Sequence, residues 1–325
     1  MIKKTIHNIY SKVTWPFLAN GVYCFNYHRI GDKDTSLFDP NVFSCTAEQF
    51  EKHIIFYNQT FTVISIEQLI EKIESNQVID KKYAVITFDD GYVDNYTAAF
   101  PILKKYHTPA AFYIATDYLD EPHIPWWDEI AWLIRNSQVN SIQLTSWQEP
   151  VDISSGTIVD KVRAVLRVIK QENDRTMEDK IAELAKICQC NMPLEVRSIP
   201  LFMNWQQAKE MSDNGMHIGS HTLSHSILSH LSPDAQREEI SLSKTKIESF
   251  LDKEVSSIAY PVGGKSAFTQ VTQQLACKAG YKLAFSFIPG VIYSFNESNR
   301  YQLMRLPVDG DCTVNQLKNI IVRNK

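Results

Sequence analysis

Short apolar runs rich in β-branched and aromatic residues alternate with helix-like segments along most of this sequence, and this alternation constrains the fold more than any other feature. The runs predict strands at 22–27, 61–66, 83–88, 110–115, 216–219, 257–260, 282–287 and 303–308. Because the runs are almost entirely apolar, both faces of each strand must be buried, which is typical of a parallel sheet covered by helices. About seven or eight such units close into a ring, so we predict an α/β fold, an irregular (β/α) barrel.

The segments between the predicted strands carry signals for helix starts. Thr46 and Ser65 each precede a glutamine by three residues, as in a capping box, and Ser232 precedes a proline suited to the first helical turn. The alternation fails between about 118 and 203, where amphipathic stretches predict helices and no strong strand run occurs. We therefore predict one barrel domain over 21–325, interrupted by a mainly helical insertion at about 118–203.

Residues 1–20 precede the first predicted strand and are expected to form an N-terminal helix or arm. Residues 2–13 place apolar side chains at helical spacing beside lysines, which fits a helix packed on the protein body or a basic helix on a membrane surface. The start of the chain lacks the uninterrupted apolar run of a secretory signal, and no later run is long enough for a transmembrane helix. We expect a cytoplasmic protein, with peripheral membrane contact as the alternative; the oligomeric state is unknown.

The charge balance excludes one large class of partners. The chain has 33 Lys+Arg against 37 Asp+Glu, a net charge of -4, and 44% hydrophobic residues. A nucleic-acid-binding protein has a basic patch or stripe, and a disordered chain has few apolar residues. We therefore expect a folded protein with no nucleic-acid partner.

Two adjacent carboxylates, Asp89 and Asp90, follow the predicted strand 83–88. Parallel barrel strands all end at one rim, where such enzymes place their chemistry, so both side chains are candidates to face the barrel mouth. Asp-Asp-Gly is also ordinary turn sequence, and this signal alone is therefore weak.

Two histidines follow another predicted strand at 216–219. His221 and His225 are four residues apart, so their rings can converge on one side of a helical turn. Two imidazoles and one carboxylate form a three-residue ligand set that leaves positions for water and substrate. His217 and His230 show that the segment is simply rich in histidine, so the conjunction with the acidic pair at the same rim is what predicts a metal site.

With both motifs in place, the sequence resembles the carbohydrate esterase family 4 polysaccharide deacetylases, which have the NodB-homology fold. Segments 87–91 and 220–225 carry the resemblance, which covers roughly 21–310 without most of 118–203.

The resemblance implies roles for four residues. Asp89 is expected to be the catalytic base, and Asp90, His221 and His225 are expected to bind a divalent metal. Zinc is the expected metal, with other divalent transition metals as alternatives.

The third motif of that family is altered in this chain. The family has an arginine two residues before its proline and a tyrosine after it, whereas Ala259 and Val262 occupy these positions around Pro261. In the family the tyrosine's backbone N–H holds the oxyanion, and Val262 also has an N–H. Arg305 is a candidate to replace the lost arginine by pairing with a site carboxylate, although a solvated arginine at a strand edge is commoner.

The family's C-terminal histidine, its general acid, is also absent, because no histidine follows His230. His28 ends the first predicted strand, and the first and last strands of a closed barrel are neighbours, so His28 is the candidate acid. In this respect the chain resembles the poly-N-acetylglucosamine deacetylases, in which an N-terminal Tyr-His segment supplies that acid. Further candidates for contacting the substrate are Tyr260, Pro261, Trp127 and Arg305.

The expected function is metal-dependent hydrolysis of an N-acetyl group on an amino sugar, in a polysaccharide, an oligosaccharide or a glycan precursor. Two alternatives stay open: a catalytically inactive glycan-binding module on the same fold, and a metal-independent glycosidase that uses the carboxylates. The glycosidase leaves the spacing of His221 and His225 unexplained. For Trp127, a buried hydrophobic contact is the alternative to stacking on a sugar.

Overall fold

The computed structural model describes residues 18–172, 175–295 and 300–324. The helix predicted at 2–13, and with it the predicted membrane contact, lies outside these residues. The described chain forms two compact units. The barrel unit runs to Gly31 and includes Phe43–Glu121 and the chain from Phe202 onward; the helical unit contains Asp32–Val42 and Pro122–Leu201.

The described strands are short and mostly parallel. In chain order they are β1 (Gly21–Tyr27), β2 (Arg29–Ile30), β3 (Phe43–Cys45), β4 (Thr62–Val63), β5 (Lys82–Phe88), β6 (Ala111–Ile114), β7 (Ser141–Ile142), β8 (Val151–Asp152), β9 (His217–Ser220), β10 (Ser257–Ala259), β11 (Leu283–Pro289) and β12 (Leu303–Pro307).

Seven of these strands close into a parallel ring. The order around it is β1, β12, β11, β10, β9, β6 and β5, and β5 pairs with β1 along its whole length to complete the closure. The structure therefore confirms the predicted irregular (β/α) barrel. In parallel strands of one ring, all carboxyl ends lie at one rim, and that rim is where the two sequence motifs occur.

The described helices cover the ring or belong to the helical unit. They are α1 (Ala47–Thr60), α2 (Ile66–Glu74), α3 (Phe100–Lys105), α4 (Trp126–Asn136), α5 (Ile158–Ile169), α6 (Met177–Cys188), α7 (Leu194–Arg197), α8 (Trp205–Asp213), α9 (Pro233–Leu251), α10 (Gln270–Lys278) and α11 (Val314–Arg323). No described helix is long and apolar enough to span a membrane. The helical unit contains α4 to α7 and the antiparallel pair of β7 and β8.

The strand predicted at 61–66 is wrong beyond Val63. β4 has only two residues and lies outside the ring, beside the first half of β5. The reason is the predicted capping box: the Ser65 hydroxyl accepts from the Gln68 N–H, and the Gln68 side chain accepts from the Ser65 N–H. Both bonds satisfy donors that a helix start leaves open, so α2 begins at Ile66.

The ring strands are buried on both faces, as parallel strands covered by helices should be. All seven residues of β1 are buried, as are six of the seven in β5. Among them are two polar side chains, Asn26 and Thr87, and β12 adds the buried Arg305. Burying a polar group destabilises the fold unless the group is hydrogen-bonded, so these three side chains must have partners inside the ring. They therefore indicate a candidate functional region of the core.

Candidate active site

The motif residues lie on loops that follow ring strands. Asp89 and Asp90 follow β5, and His221 follows β9 directly. Val262 lies in the loop after β10, and His28 follows β1. These strand ends belong to one rim of the ring, so the topology brings segments far apart in sequence to a common place.

Four residues of these loops have backbone conformations that L-amino acids seldom adopt. Asp90 (φ 74°), Thr222 (φ 69°), His225 (φ 56°) and Val262 (φ 60°) all lie in the left-handed region. A β-branched residue such as Val262 or Thr222 is strained there. Such strain collects where the surrounding structure must hold a side chain or an N–H in a set direction for function.

The first cluster at the rim consists of Asp90, His221 and His225. One ligand atom from each lies within 4.8 Å of the others, and all three residues are buried. The Asp90 Oδ1 atom is 3.4 Å from His221 Nε2 and 3.3 Å from His225 Nε2. The structure thus brings together the three residues that the sequence predicts as metal ligands.

The protonation of His221 shows that this cluster fits a cation. Its Nδ1 lies 2.7 Å from the carbonyl oxygen of Ala259, so Nδ1 must carry a hydrogen, and the neutral ring then presents a lone pair at Nε2. That lone pair faces the Asp90 carboxylate, which is also an acceptor, so a proton or a metal ion between them is needed. Two imidazole nitrogens and one carboxylate oxygen are a donor set that zinc favours.

The surroundings of Asp90 favour the ionised form of its carboxylate. Burial alone would raise its pKa, but hydrogen bonds from His221 and His225 hold the pKa well below its ordinary value. For His221, burial favours the neutral ring, but the charge of Asp89 and a hydrogen bond with Asp90 raise its pKa overall. Asp90 therefore supplies a negative charge to the cluster, and such a charge attracts a cation.

Asp89, the neighbouring carboxylate, is held by Arg305. The guanidinium donates from Nη1 to Oδ1 and from Nη2 to Oδ2, both at 2.7 Å, and both side chains are almost completely buried. Burial, the largest effect, would raise the pKa of Asp89, but the charge and hydrogen bonds of Arg305, together with the charges of His221 and His28, lower the pKa overall. Arg305 therefore pairs with a site carboxylate, although it lies on β12 and not in the third motif.

Asn26 and Thr87 complete the surroundings of this pair. Asn26 donates to Asp89 Oδ2 at 3.2 Å, while its own oxygen accepts from Arg305 Nη1 at 2.6 Å and from the Thr87 hydroxyl at 2.8 Å. Arg305 Nε also donates to the Ser286 carbonyl at 2.8 Å. A network with this many satisfied members inside the barrel fixes the Asp89 carboxylate in one orientation.

Asn26 is the residue of this network that the sequence analysis missed. A signal was present, because an amide inside the otherwise apolar strand 22–27 must find partners in the core. The partners themselves lie 63 and 279 residues away, at Asp89 and Arg305, and no local pattern indicates them.

His28 lies at the break between β1 and β2. Its ring meets the ring of Phe287 edge-on, with centroids 5.8 Å apart, and its charge contributes to lowering the pKa of Asp89 after the larger effects. In the described part of the chain, no protein group forms a hydrogen bond with either ring nitrogen. The ring thus acts electrostatically on Asp89, and its described contact is with Phe287.

Val262 and Gly263 form a tight turn that contacts Phe287, the residue whose ring meets His28. Gly263 N–H donates to the Pro261 carbonyl at 2.6 Å, and Phe287 N–H donates to the Gly263 carbonyl at 2.7 Å. A Cβ at position 263 would lie 2.6 Å from the Phe287 nitrogen, so only glycine fits there. In the described residues no group accepts a hydrogen bond from the Val262 N–H.

The remaining candidates occupy different places. Tyr260 is buried, stacks on Phe268 and donates its hydroxyl to the Tyr301 carbonyl at 3.0 Å. Pro261 is buried beside it. Trp127 is buried in α4 of the helical unit, with its ring edge-on to Trp126. Contact of these side chains, or of the buried Arg305, with a substrate stays a prediction.

Comparison with known proteins identifies the family. The sequence pattern described as "Polysaccharide deacetylase" matches residues 76–284, which is more than half of the chain and includes both motifs. The chain belongs to the polysaccharide deacetylase family. The match confirms the resemblance predicted from the two motifs.

Two curated relatives of this polysaccharide deacetylase have low sequence identity to it. The putative polysaccharide deacetylase YxkH of Bacillus subtilis is 22% identical over 274 residues, which cover 84% of this chain and 68% of YxkH. The poly-beta-1,6-N-acetyl-D-glucosamine N-deacetylase of Escherichia coli K12 is 24% identical over 150 residues, 45% of this chain and only 20% of that enzyme. The chain therefore matches a small part of the second relative.

Among solved structures, the Streptococcus pyogenes deacetylase PplD in complex with acetate has the same fold. The TM-score is 0.60 at 19% identity, with 93% of this chain and 98% of PplD covered. At this level of identity, the similarity concerns the fold alone.

Proposed function

We propose that this polysaccharide deacetylase is a metal-dependent amidohydrolase that removes the acetyl group from an N-acetylated amino sugar. The observation that carries the proposal is the juxtaposition of the Asp90–His221–His225 cluster with a second, ionised carboxylate, Asp89, whose orientation Arg305 fixes. A metal ion held by such a ligand set can bind water, and an oriented base beside it can remove a proton from that water.

A divalent metal, which we propose is zinc, would be held by Asp90, His221 and His225 and would supply Lewis acidity that lowers the pKa of water toward about 7. The protein's own groups do the rest. Asp89 accepts a proton from the water that attacks the acetamide carbon. Two Arg305 hydrogen bonds leave further lone pairs on the carboxylate, so the bidentate pair does not prevent proton acceptance.

Charge on the acetamide oxygen and the leaving amine need separate partners. The Val262 N–H, fixed by the strained turn before Gly263, is proposed to donate to the oxygen as it becomes negative. An amine leaves readily only when protonated, and His28, in its protonated form, is proposed to donate that proton. Its position beside Phe287, which bonds to Gly263, supports placing acid and oxyanion donor on one side of the rim.

The substrate class is an amino sugar carrying an N-acetyl group. The E. coli relative is named for deacetylation of poly-beta-1,6-N-acetyl-D-glucosamine, which supports a glucosamine-type residue. Whether the sugar belongs to a polymer or to a glycan precursor is decided by the experiment that follows.

The test is acetate release, measured by mass spectrometry, from free, nucleotide-linked and polymeric N-acetyl sugars by zinc-loaded enzyme. We expect release from at least one of them, and loss of release with Asp89→Asn although the metal content is unchanged. If the wild-type protein binds saccharides but releases no acetate, the glycan-binding module is the better description. Cleavage of glycosidic bonds without metal would instead support the glycosidase.

A further inference from the structure

The backbone of His28 is held by side chains from two other segments. Its N–H donates to the Ser44 hydroxyl at 3.0 Å, and its carbonyl oxygen accepts from Asn95 Nδ2 at 2.7 Å. Ser44 and Asn95 are both completely buried. Because β1 ends at Tyr27, neither polar backbone group of His28 is part of the barrel ladder, and these side chains replace it.

The amide orientation of Asn95 is fixed by its surroundings. Nδ2 faces the His28 carbonyl and also lies 3.2 Å from Asp94 Oδ1. Both of these oxygens are acceptors, so only the NH₂ group can occupy that position. The bond to His28 therefore has a defined direction and no alternative.

The next residues reinforce this attachment. Asp94 Oδ1 accepts from the Ile30 N–H, and Asp94 Oδ2 pairs with Arg29 Nε, each at 2.9 Å. The Arg29 guanidinium also lies over the rings of Phe43, at 4.4 Å, and Tyr92, at 4.7 Å. The chain on the C-terminal side of His28 is thus clamped to the segment that begins with the acidic motif.

That segment has an unusual local structure. Asn95–Ala99 forms a π-helical turn that begins five residues after Asp90. π-turns are rare and are frequently found at functional sites. Here the turn places Asn95 against the His28 carbonyl.

We propose that Asn95 and Ser44 are positioning residues that aim the His28 imidazole at the leaving amine. The inference rests on the proposed deacetylase function. In this arrangement one short segment sets three elements of the reaction: it carries the base Asp89, the metal ligand Asp90 and, through Asn95, the backbone of the acid. Asn95 and Ser44 are both completely buried, so the proposed role is exerted through His28 and not through contact with the substrate.

The test compares an amide with an activated ester in the zinc-loaded enzyme. An aryl acetate has a leaving group that needs no proton, so only amide hydrolysis depends on His28. Asn95→Ala is expected to lower kcat for the N-acetyl sugar by about 10- to 100-fold with little change in KM, as misplacement of a catalytic group by about 1 Å does. Its activity on the ester should stay within a few-fold of wild type. Ser44→Ala, which removes one hydroxyl, should show the same pattern more weakly.

A double-mutant cycle distinguishes the positioning of His28 from a general loss of structure. In a His28→Ala background, Asn95→Ala should cause no further loss on the amide, because the group it positions is gone. Thr97→Ala, an exposed change in the same π-turn, is the matched control and should resemble wild type on both substrates. Equal losses on amide and ester, or losses that multiply with His28→Ala, would overturn the proposal.

A structural readout decides the point independently of turnover. Crystal structures of the wild type and of Asn95→Ala should be compared. The His28 and Phe287 rings meet edge-on with centroids 5.8 Å apart in the wild type, and we expect this contact to be lost in the variant. An unmoved ring would refute the positioning role. If wild type hydrolyses neither substrate, the deacetylase function fails, while the ring position still tests what Asn95 does.

Discussion

The two ends of strand β9 carry two buried histidines with different surroundings. His217 begins the strand: its Nδ1 lies 2.7 Å from Glu67 Oε1, and its Nε2 lies 2.8 Å from the Ser257 hydroxyl. His221 follows the strand: its Nδ1 bonds to a backbone carbonyl, but its Nε2 faces the Asp90 carboxylate. Both histidines are buried, so burial does not distinguish a metal ligand from a structural histidine. The partner of the second ring nitrogen does.

The His217 end also shows how a catalytic pattern can be structural. Glu67, His217 and Ser257 form a line of acid, imidazole and hydroxyl that has the order of a nucleophilic triad. The Ser257 hydroxyl is completely buried, however, and bonds to the Tyr113 hydroxyl at 3.0 Å. A nucleophile must reach its substrate, so this line holds the start of β9 and performs no hydrolysis.

The largest contrast between the two ends is expected from matched glutamine substitutions. His221→Gln should abolish stoichiometric zinc binding and lower acetate release by about 10⁴-fold or more, since several kcal/mol of charge stabilisation is lost. His217→Gln should keep the metal, because its ring bonds only to protein groups at the other end. Metal content by mass spectrometry and acetate release check both. Retention of one zinc per chain in His221→Gln would contradict the assignment of the cluster.

Asp89→Asn distinguishes a base from a ligand within the site. The amide cannot accept the proton, so kcat should fall by about 10²- to 10⁴-fold. Zinc should remain bound, because Asp90 and the two imidazoles are untouched. Parallel loss of zinc and activity would mean that Asp89, and not only Asp90, holds the metal.

Arg305→Met removes the charge that keeps Asp89 ionised in the core. The variant leaves a buried carboxylate without its partner, which costs about 3–5 kcal/mol in unfolding free energy when such a pair is broken. Urea unfolding followed by circular dichroism measures this. Asn26→Ala serves as the comparison, because it removes one hydrogen bond and should cost about 1–3 kcal/mol. A loss for Arg305→Met no larger than that for Asn26→Ala would contradict the importance of the ion pair.

The smallest effect is expected at the opposite end of β9, from Glu67→Gln. The hydrogen bond from His217 lowers the pKa of Glu67 to about 2, so its contribution to stability is complete above the ordinary value of 4.5 and disappears as the pH falls from there toward 2. The side chain is 64% exposed, so solvent screens the pair and the contribution is about 1 kcal/mol or less at pH 7. The unfolding free energies of wild type and Glu67→Gln should be measured at pH 7 and pH 3. The difference between them should be smaller at pH 3, and the deacetylation rate should be the same in both proteins.

The sequence predicts the ring because its strands are apolar on both faces, and that property is visible residue by residue. It does not predict that Asp32–Val42 joins the helical unit, because no local pattern in these residues differs from that of a loop. The strand at 61–66 is predicted too long because a β-branched run and the Ser65 cap overlap, and the cap decides the structure.

At the site, residue type and spacing predict that Asp90, His221 and His225 form one cluster, and the structure brings these three residues together. The residues that depend on ring closure are less visible. From the sequence, Arg305 is a candidate partner for a site carboxylate, with a solvated strand-edge arginine as the alternative. Its contact with Asp89 spans 216 residues, so no local pattern indicates which carboxylate it meets. Asn95 gives no signal at all, because its role depends on a π-turn and on a backbone carbonyl at His28.

The pair of Asp89 and Arg305 links the acidic motif to the last strand of the ring. Contacts between such distant positions form only after the intervening loop entropy has been overcome. While a ribosome is still making this chain, Asp89 lacks its guanidinium partner until β12 has emerged and docked. The hydrolytic chemistry proposed for this rim therefore depends on the last strand of the ring, and a chain still on the ribosome acquires the orienting partner of its base only after that strand has docked.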